Sequence, residues 1–296
     1  MPTSIMWPSI LDILSARTGL SLHAARKIRL SGGCIHEAYC VESTDGRVFL
    51  KRNHAQHAPM LAAEYEALIA IAKTATLKVP EPIAWGISGG DAWLATEYLE
   101  LGPSSETSQE LLGYQLAQLH QLPQASFGWH QTNSIGLTEQ PNRLSDDWVA
   151  FFRDQRLAWQ FKLAAQKNHV FDGSQALLES MSFFFEGYVP RPCLLHGDLW
   201  HGNAASLHDG TPVVFDPAAY CGDSEAEFGI MELFGGFSPG LREAYSSLLP
   251  PSPGHQRRLH LYRLYHELNH LNMFGGGYLA ACHKTIAKLL GWLASG

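Results

Sequence analysis

Two short apolar runs late in the chain each lead within three residues to an acidic side chain, and they constrain the fold more than any other feature. Pro192 to Leu195 leads into His196-Gly197-Asp198-Leu199-Trp200-His201-Gly202-Asn203, and Pro212 to Phe215 leads into Asp216-Pro217. Runs of four apolar residues bounded by turn residues suit strands, being too short for helices. Asp198, Asn203 and Asp216 are therefore expected on loops, where a rigid scaffold holds polar side chains toward solvent. Either piece alone reads as an Asx-rich turn. In order, with a strand before each, they supply one proton acceptor and two hard oxygen ligands, a set suited to Mg²⁺ carrying a nucleoside triphosphate.

The rest of the chain has the surroundings such a site needs. Ser9 to Thr18 has Ile10, Ile13 and Leu14 at helical spacing, and Leu22 to Ile28 reads as a further short helix. Strand, turn, strand follows from Ile28 to Tyr39 about Gly32-Gly33, and Asp45-Gly46 signals a hairpin into Val48 to Lys51. A helix from about Pro59 to Lys73 precedes two more strands, Ile83 to Ile87 and Ala92 to Tyr98. Past Gly102-Pro103 the pattern becomes helical over Glu110 to Gln121, Ser145 to Ala165 and Ser174 to Tyr188, and only Pro192 to Leu195 and Pro212 to Phe215 still read as strands. The class expected is α+β, with an antiparallel β-rich N-terminal lobe, residues 1–98, and a larger helical lobe, residues 99–296.

Within the first lobe, Lys51 closes an apolar strand where its ammonium can reach phosphate oxygens, and Glu64 lies on the next helix, able to pair with it. Gly32 and Gly33 lack a Cβ, so their backbone N–H groups can approach phosphate. The boundary residues Tyr98, Leu99 and Glu100 are candidates to read adenine through backbone groups. Each of these features taken singly is ordinary; their order, glycine turn, strand Lys, helix Glu, boundary strand, His-x-Asp-x₄-Asn and strand Asp, is that of kinase sites.

Composition excludes other classes. The chain has 296 residues, 46% hydrophobic and 17% charged, enough to bury a core. With 21 Lys and Arg against 28 Asp and Glu, a formal charge of −7 and no basic run, it lacks the footprint that nucleic acid or an anionic membrane requires. No apolar stretch approaches a membrane span, and Met1 to Ile13 lacks the basic start and small-residue cleavage site of a signal peptide. The five cysteines include no C-x-x-C pair, so reduced thiols in a cytoplasmic protein are expected.

Beyond these motifs the sequence resembles the fructosamine kinase (ketosamine 3-kinase) family, of protein-kinase-like and aminoglycoside-phosphotransferase-like fold. The resemblance rests on Leu194 to Trp200 with Gly202-Asn203, on Phe215 to Ala218, and on Met231 to Phe237. Gly32 to Ile35, Leu116-Ala117, Leu119-His120, Phe127-Gly128, Asp147-Trp148, Phe151-Phe152 and Leu264-Tyr265 to Gly275 extend it over nearly the whole chain. His201 stands where a small residue such as Ser is expected. The resemblance implies a bilobal fold and ATP-dependent phosphorylation of the sugar 3-hydroxyl of ketoamines, the adducts that glycation forms on amino groups. The phosphorylated adduct decomposes and frees the amine, which is deglycation repair. Asp198 would then orient or deprotonate the hydroxyl, Asn203 and Asp216 would hold Mg²⁺, and Lys51 with Glu64 would position the triphosphate. The alternatives are an aminoglycoside- or choline-like phosphotransferase and a catalytically dead kinase fold that only binds.

Other features carry competing readings. His266-Glu267-Leu268-Asn269-His270 matches the H-E-x-x-H zinc signature, but no further ligand pattern follows, so His266 and His270 are read as helix-packing or substrate-cleft residues. Trp200 could lay its indole against a sugar or an alkyl chain. Trp148, Phe151, Phe152, Trp159 and Phe161 read as core. Asp223, Glu225 and Glu227 read as a solvated acidic loop, with a cationic amine as the alternative partner. The remaining histidines, His54 and His57 among them, are expected on the surface. Cys34, beside Gly33 and within reach of Lys51, is a candidate redox switch.

Overall fold

The structure, a computed structural model, describes residues 7–31 and 35–295; Gly32, Gly33 and Cys34 lie outside the described residues. In chain order the first elements are α1 (Trp7–Thr18), β1 (Arg26–Leu30), β2 (Glu37–Glu42), β3 (Arg47–His54), α2 (Ala58–Lys73), β4 (Pro82–Ser88), β5 (Asp91–Glu97) and β6 (Leu101–Gly102). There follow α3 (Glu106–Gln121), β7 (Asn133–Ile135), β8 (Thr138–Gln140), α4 (Trp148–Phe152), α5 (Ala158–Gln166), α6 (Ser174–Glu179), β9 (Cys193–Leu195), β10 (Ala204–Leu207), β11 (Pro212–Val214) and β12 (Tyr220–Gly222). The last are α7 (Phe228–Phe234), α8 (Pro239–Leu248), α9 (His255–Phe274) and α10 (Leu279–Ser295).

These elements form two compact units, one of residues up to Ser104 with Ala205–Pro217, the other of Ser105–Ala204 with Ala218 onward. The first unit holds a five-stranded antiparallel sheet in the order β1-β2-β3-β5-β4. Alternation along β3 sends Val48 and Leu50 into a core with Ile10, Leu14 and Trp93, and Phe49 and Lys51 to the opposite face. Lys51 is thereby fixed opposite Ala38 of β2 and Leu94 of β5. Pro59 lies in the first turn of α2, where its missing N–H costs nothing.

Three sequence expectations change. Leu22 to Ile28 is not a helix: residues from Arg26 pair with β2, Ile28 opposite Cys40, because so short an apolar pattern satisfies either period and the neighbouring strand decides. Ser174 to Tyr188 breaks after Glu179 into a 3₁₀ segment, Met181–Phe185. Segment 205–217 groups with the first unit although it lies far beyond residue 98. Its strand β10 pairs with β6, Ser206 opposite Gly102, and the N–H of Val214 donates to the Lys78 carbonyl at 3.0 Å.

The second unit is mostly helical. Its core joins Trp148, Phe151 and Phe152 of α4 to Leu261, Tyr262, Leu264 and Tyr265 of α9, as the aromatic spacing predicts, but Phe161 is only half-buried against it and Trp159 is half-buried without being part of it. A π-turn, Arg153–Leu157, links α4 to α5, so Trp148 to Gln166 runs as one helical stretch. α9 is buried over most of its circumference, the mark of a central helix. Short strands β7, β8 and β12, which periodicity does not reveal, complete this unit. No helix among the described residues is long and apolar enough to cross a membrane. The described cysteines Cys40, Cys193, Cys221 and Cys282 are free and buried.

Candidate functional site

The first unit contains a cavity of about 670 Å³ whose apolar walls include Leu30, Phe49 and Leu68. Tyr98, Leu99 and Glu100, the extended residues between β5 and β6, line one side. Two ion pairs brace this edge: Lys78 Nζ lies 2.8 Å from Glu97 Oε2, and Arg47 pairs with Glu100 while its guanidinium stacks 4.7 Å over the Tyr98 ring. Lys51, Glu64 and Asp216 also line the cavity. Lys51 Nζ donates to Glu64 Oε1 at 2.6 Å and to Asp216 Oδ1 at 2.5 Å.

Lys51 is only 8% exposed. Burial opposes its charge, but the carboxylates of Asp216 and Glu64 outweigh burial and raise its pKa. Glu64 is pushed up to about 7, chiefly by burial, against the attraction of Lys51. Asp216 differs from Glu64 in two ways. Its side chain is 45% exposed, with Oδ1 alone engaged among the described residues, and its φ is +60°, a left-handed conformation that costs a non-glycine residue about 1–2 kcal/mol. Backbone strain of this kind concentrates where function dictates the direction of a side chain.

In the second unit, β9 ends at Leu195 and hands over to the His196-Gly197-Asp198 turn. Gly197 has φ +80°, and a Cβ there would lie 2.3 Å from the Ala218 carbonyl oxygen, so no other residue fits. The His196 carbonyl accepts from the N–H of Ala218 at 2.9 Å. Asn203, in the 3₁₀ turn His201–Asn203, donates from Nδ2 to the Asp198 carbonyl at 2.9 Å and to Asp198 Oδ2 at 3.1 Å. This fixes the Asp198 carboxylate, and among the described residues the Asn203 amide oxygen has no hydrogen-bond partner.

What holds this loop from behind is a group the sequence reading misplaced. Asp223, Glu225 and Glu227 are not solvated: they are 0%, 7% and 1% exposed. Glu227 Oε2 accepts from the N–H of His196 at 2.6 Å, and Oε1 from the N–H of Gly197 at 2.9 Å. Its other neighbour, the buried His120, places Nε2 3.6 Å from Oε2 and meets Tyr245 Oη at 2.8 Å through Nδ1. Burial opposes the Glu227 charge, yet His120, His196 and the His196 N–H together hold its carboxyl below the usual value. Asp223 accepts from Tyr188 Oη at 2.6 Å and from Tyr262 Oη; burial, reinforced by the charge of Glu225, pushes it up to about 6. Glu225 takes both Nε and Nη2 of Arg258, at 2.6 and 2.9 Å. None of these partners can be read from sequence, because they are backbone amides or residues far along the chain. The burial of His120 likewise departs from the expected surface placement, whereas His54 is exposed and His57 half-buried.

Trp200 and His201 flank the loop. The Trp200 ring covers Gly202, where a Cβ would lie 2.3 Å from it, and packs 5.1 Å from Phe234. The His201 ring fills the space over Gly236, where a Cβ would lie 2.7 Å away, so a glycine accommodates the larger side chain at this position. His266 and His270 lie on α9, both buried. His270 Nδ1 is bonded to the His266 carbonyl, and Glu267 to Arg263. Among the described residues no group of three His, Cys, Asp or Glu side chains is placed to hold a metal ion.

The structure thus brings Lys51, Glu64 and Asp216 together with Tyr98, Leu99 and Glu100 in the first unit, and Asp198, Asn203 and Trp200 together in the second.

Comparison with known proteins identifies the family. The model described as fructosamine kinase matches residues 6–291. The chain is 40% identical over 285 residues to a "Probable ketoamine kinase" of Synechocystis, covering 96% of this chain and 97% of that one. It is 39% identical to the chloroplastic protein-ribulosamine 3-kinase of Oryza sativa subsp. indica, covering 88% and 78%. A crystal structure from Haemophilus somnus 129PT, assigned as a fructosamine-3-kinase, superposes with a TM-score of 0.90 at 28% identity, covering 96% of this chain and 98% of that one. An aminoglycoside phosphotransferase superposes at 0.61 with 14% identity over 94% and 98%, which shows a shared fold. The chain belongs to the fructosamine kinase family.

Proposed function

We propose that the chain is an ATP-dependent ketosamine kinase that phosphorylates the sugar 3-hydroxyl of ketoamines in deglycation repair. The reading is carried by membership of the fructosamine kinase family over nearly the whole chain, and the geometry within each unit fits it. ATP, held with Mg²⁺, supplies the electrophilic phosphoryl group. The cavity of the first unit suits adenine between apolar walls, with Tyr98, Leu99 and Glu100 at its edge. Lys51 offers the triphosphate an ammonium that Glu64 holds in place. Asp216 fits a hard cation, since its carboxylate is half-exposed with one oxygen unengaged among the described residues. In the second unit Asn203 carries an amide oxygen of the type Mg²⁺ prefers.

Asp198 accepts the proton of the attacking hydroxyl or orients it, its carboxylate steadied by Asn203. Glu227 acts through the backbone, fixing the two N–H groups immediately before Asp198. Phosphoryl transfer asks little covalent chemistry of the protein, so this positioning and charge neutralisation account for most of the rate. The free, buried thiols fit a cytoplasmic location.

Ribulosyl-, erythrulosyl- and fructosyl-lysine, supplied with ATP and Mg²⁺ and scored for ADP release, test the reading against an aminoglycoside and choline. Turnover confined to ketoamines supports it. Turnover confined to the other acceptors overturns it.

A further inference from the structure

We propose that Arg156 is a positioning residue for the transfer reaction: through a relay of three buried side-chain amides it fixes the Ala218 and Ala219 carbonyls, on which the turn that carries Asp198 is seated. This rests on the kinase reading of that turn and adds a second restraint to the one Glu227 supplies.

Arg156 lies in the π-turn between α4 and α5 and is 0% exposed. Its partners among the described residues are all neutral. Nη1 donates to the carbonyls of Pro141 and Gln155 at 2.5 and 3.0 Å, and Nη2 to Asn142 Oδ1 at 2.7 Å. The guanidinium carbon lies 4.1 Å from the centroid of the Tyr220 ring and 4.7 Å from that of Phe151. A buried cation without a carboxylate is costly, and aromatic faces offset only part of that cost. What the guanidinium brings to this place is a set of N–H groups that donate and can never accept.

That polarity passes along the amides. Asn142 turns Oδ1 to Arg156, so its Nδ2 donates to the Gln131 carbonyl at 3.1 Å and to Asn133 Oδ1 at 2.8 Å. Asn133 Oδ1 also accepts from Gln140 Nε2 at 2.8 Å, across the β7–β8 hairpin where the two residues are paired. Both its lone pairs are then filled, and Asn133 Nδ2 donates to the Ala219 carbonyl at 2.8 Å. Gln140 Nε2 gives its second hydrogen to the Ala218 carbonyl at 3.1 Å, while its Oε1 accepts from Tyr265 Oη at 2.7 Å. Asn133, Gln140 and Asn142 are all buried. Turning any one amide over would set like against like, where water cannot repair the mismatch.

The relay ends where the Asp198 turn is supported. The Ala218 N–H donates to the His196 carbonyl at 2.9 Å, and the Ala218 carbonyl oxygen lies so near Gly197 that a Cβ there would be 2.3 Å from it. Both backbone polar groups of Ala218 therefore bear on the two residues before Asp198. Glu227 holds the N–H groups of those residues; the relay holds the carbonyl on which Gly197 rests. A shift of that carbonyl moves the turn, and the Asp198 carboxylate with it.

The experiment measures ADP release and urea midpoints for the full chain, with ribulosyl-lysine or with whichever other acceptor the wild type phosphorylates. Arg156→Met fills the aromatic cage and removes the donors, Gln140→Met removes the donor to Ala218, and Arg156→Lys returns one donor to Asn142. Leu177→Ala, in the same core but outside the relay, lowers stability alone. Displacing a reacting group slightly costs up to about a hundredfold in rate, so both Met variants should lower kcat about ten- to a hundredfold, with the KM for ATP within about twofold of wild type. Their combination should be no slower than the slower single variant, because one break already opens the relay. Arg156→Lys should recover part of the lost kcat, and Leu177→Ala should lower the urea midpoint with kcat near wild type. A kcat near wild type in Gln140→Met, or one that falls equally in Leu177→Ala, overturns the inference, and both outcomes are readable even if Arg156→Met does not fold. A wild type that phosphorylates another acceptor but no ketoamine overturns the ketosamine reading alone, and one inactive on every acceptor overturns both.

Discussion

In the first unit Glu64 and Asp216 face an ammonium, Lys51, at 2.6 and 2.5 Å; in the second Glu227 faces two backbone N–H groups, at 2.6 and 2.9 Å. The partners make the two arrangements mechanically different. A lysine on a flexible stem can exchange one anion for another, and the half-exposed Asp216 can yield its place when a phosphate arrives. Backbone amides cannot move without moving the loop that carries them. The first unit is built to exchange partners, and the second to keep Asp198 still.

The largest expected effect tests the second arrangement at the reacting group. Asp198→Asn should lower kcat by about 10²–10⁴, the span of a lost general base, while ATP affinity stays near wild type because the nucleotide cavity belongs to the first unit. Steady-state rates with an ATP titration check it; a mutant that loses ATP affinity and keeps its turnover reverses the assignment.

A paired substitution sharpens the contrast. Glu227→Gln keeps one acceptor and turns an amide N–H toward a backbone donor, leaving a buried N–H unsatisfied at a cost of about 1–3 kcal/mol. We expect a lower urea midpoint and a fall in kcat, with the KM for ATP near wild type. Glu64→Gln should do the opposite, raising the KM for ATP several-fold with a smaller loss of stability. If both variants changed the same parameter, the distinction between exchangeable and fixed partners would be lost.

The pairing also explains what could be read from the amino-acid sequence. Lys51, Glu64 and Asp216 were legible because side chains that pair with one another, or with a common ligand, occur in a fixed order along the chain. Asp198 and Asn203 were legible by spacing, since the 3₁₀ turn between them sets which atoms meet. Glu227 was not, because its partners are amides that every residue possesses, and only the fold selects those of His196 and Gly197. Asp223 and Glu225 were misread as solvated for the same reason: the hydroxyls of Tyr188 and Tyr262 and the guanidinium of Arg258 come from distant segments. Local pattern failed likewise at Arg26–Leu30, where pairing with β2 overrode an ambiguous periodicity, and at β10, whose partner β6 is about a hundred residues away.

A smaller effect concerns pH. Asp223, fully buried, has its pKa raised from 3.8 to about 6. A group raised on folding contributes stability below its unfolded value, and that contribution is lost as the pH climbs through the folded one. Ionised Asp223 at pH 7 therefore costs on the order of 3 kcal/mol relative to acid conditions, a net figure in which its tyrosine hydrogen bonds already offset part of the burial cost. Asp223→Asn cannot ionise, so its stability relative to wild type should rise between pH 4 and pH 7. Urea midpoints of both proteins at the two pH values measure this; a difference independent of pH would show that Asp223 does not titrate in this window.

The most direct test of the central claim is the position of the phosphate in the product. Phosphorus and proton NMR of ribulosyl-lysine during incubation with the enzyme, ATP and Mg²⁺ should show a phosphate monoester on O3 of the ketose, followed by release of the free amine, both growing about 10²–10⁴ times more slowly with Asp198→Asn. Phosphate on another hydroxyl or on the amine, or O3-phosphate formed equally by Asp198→Asn, would contradict the account.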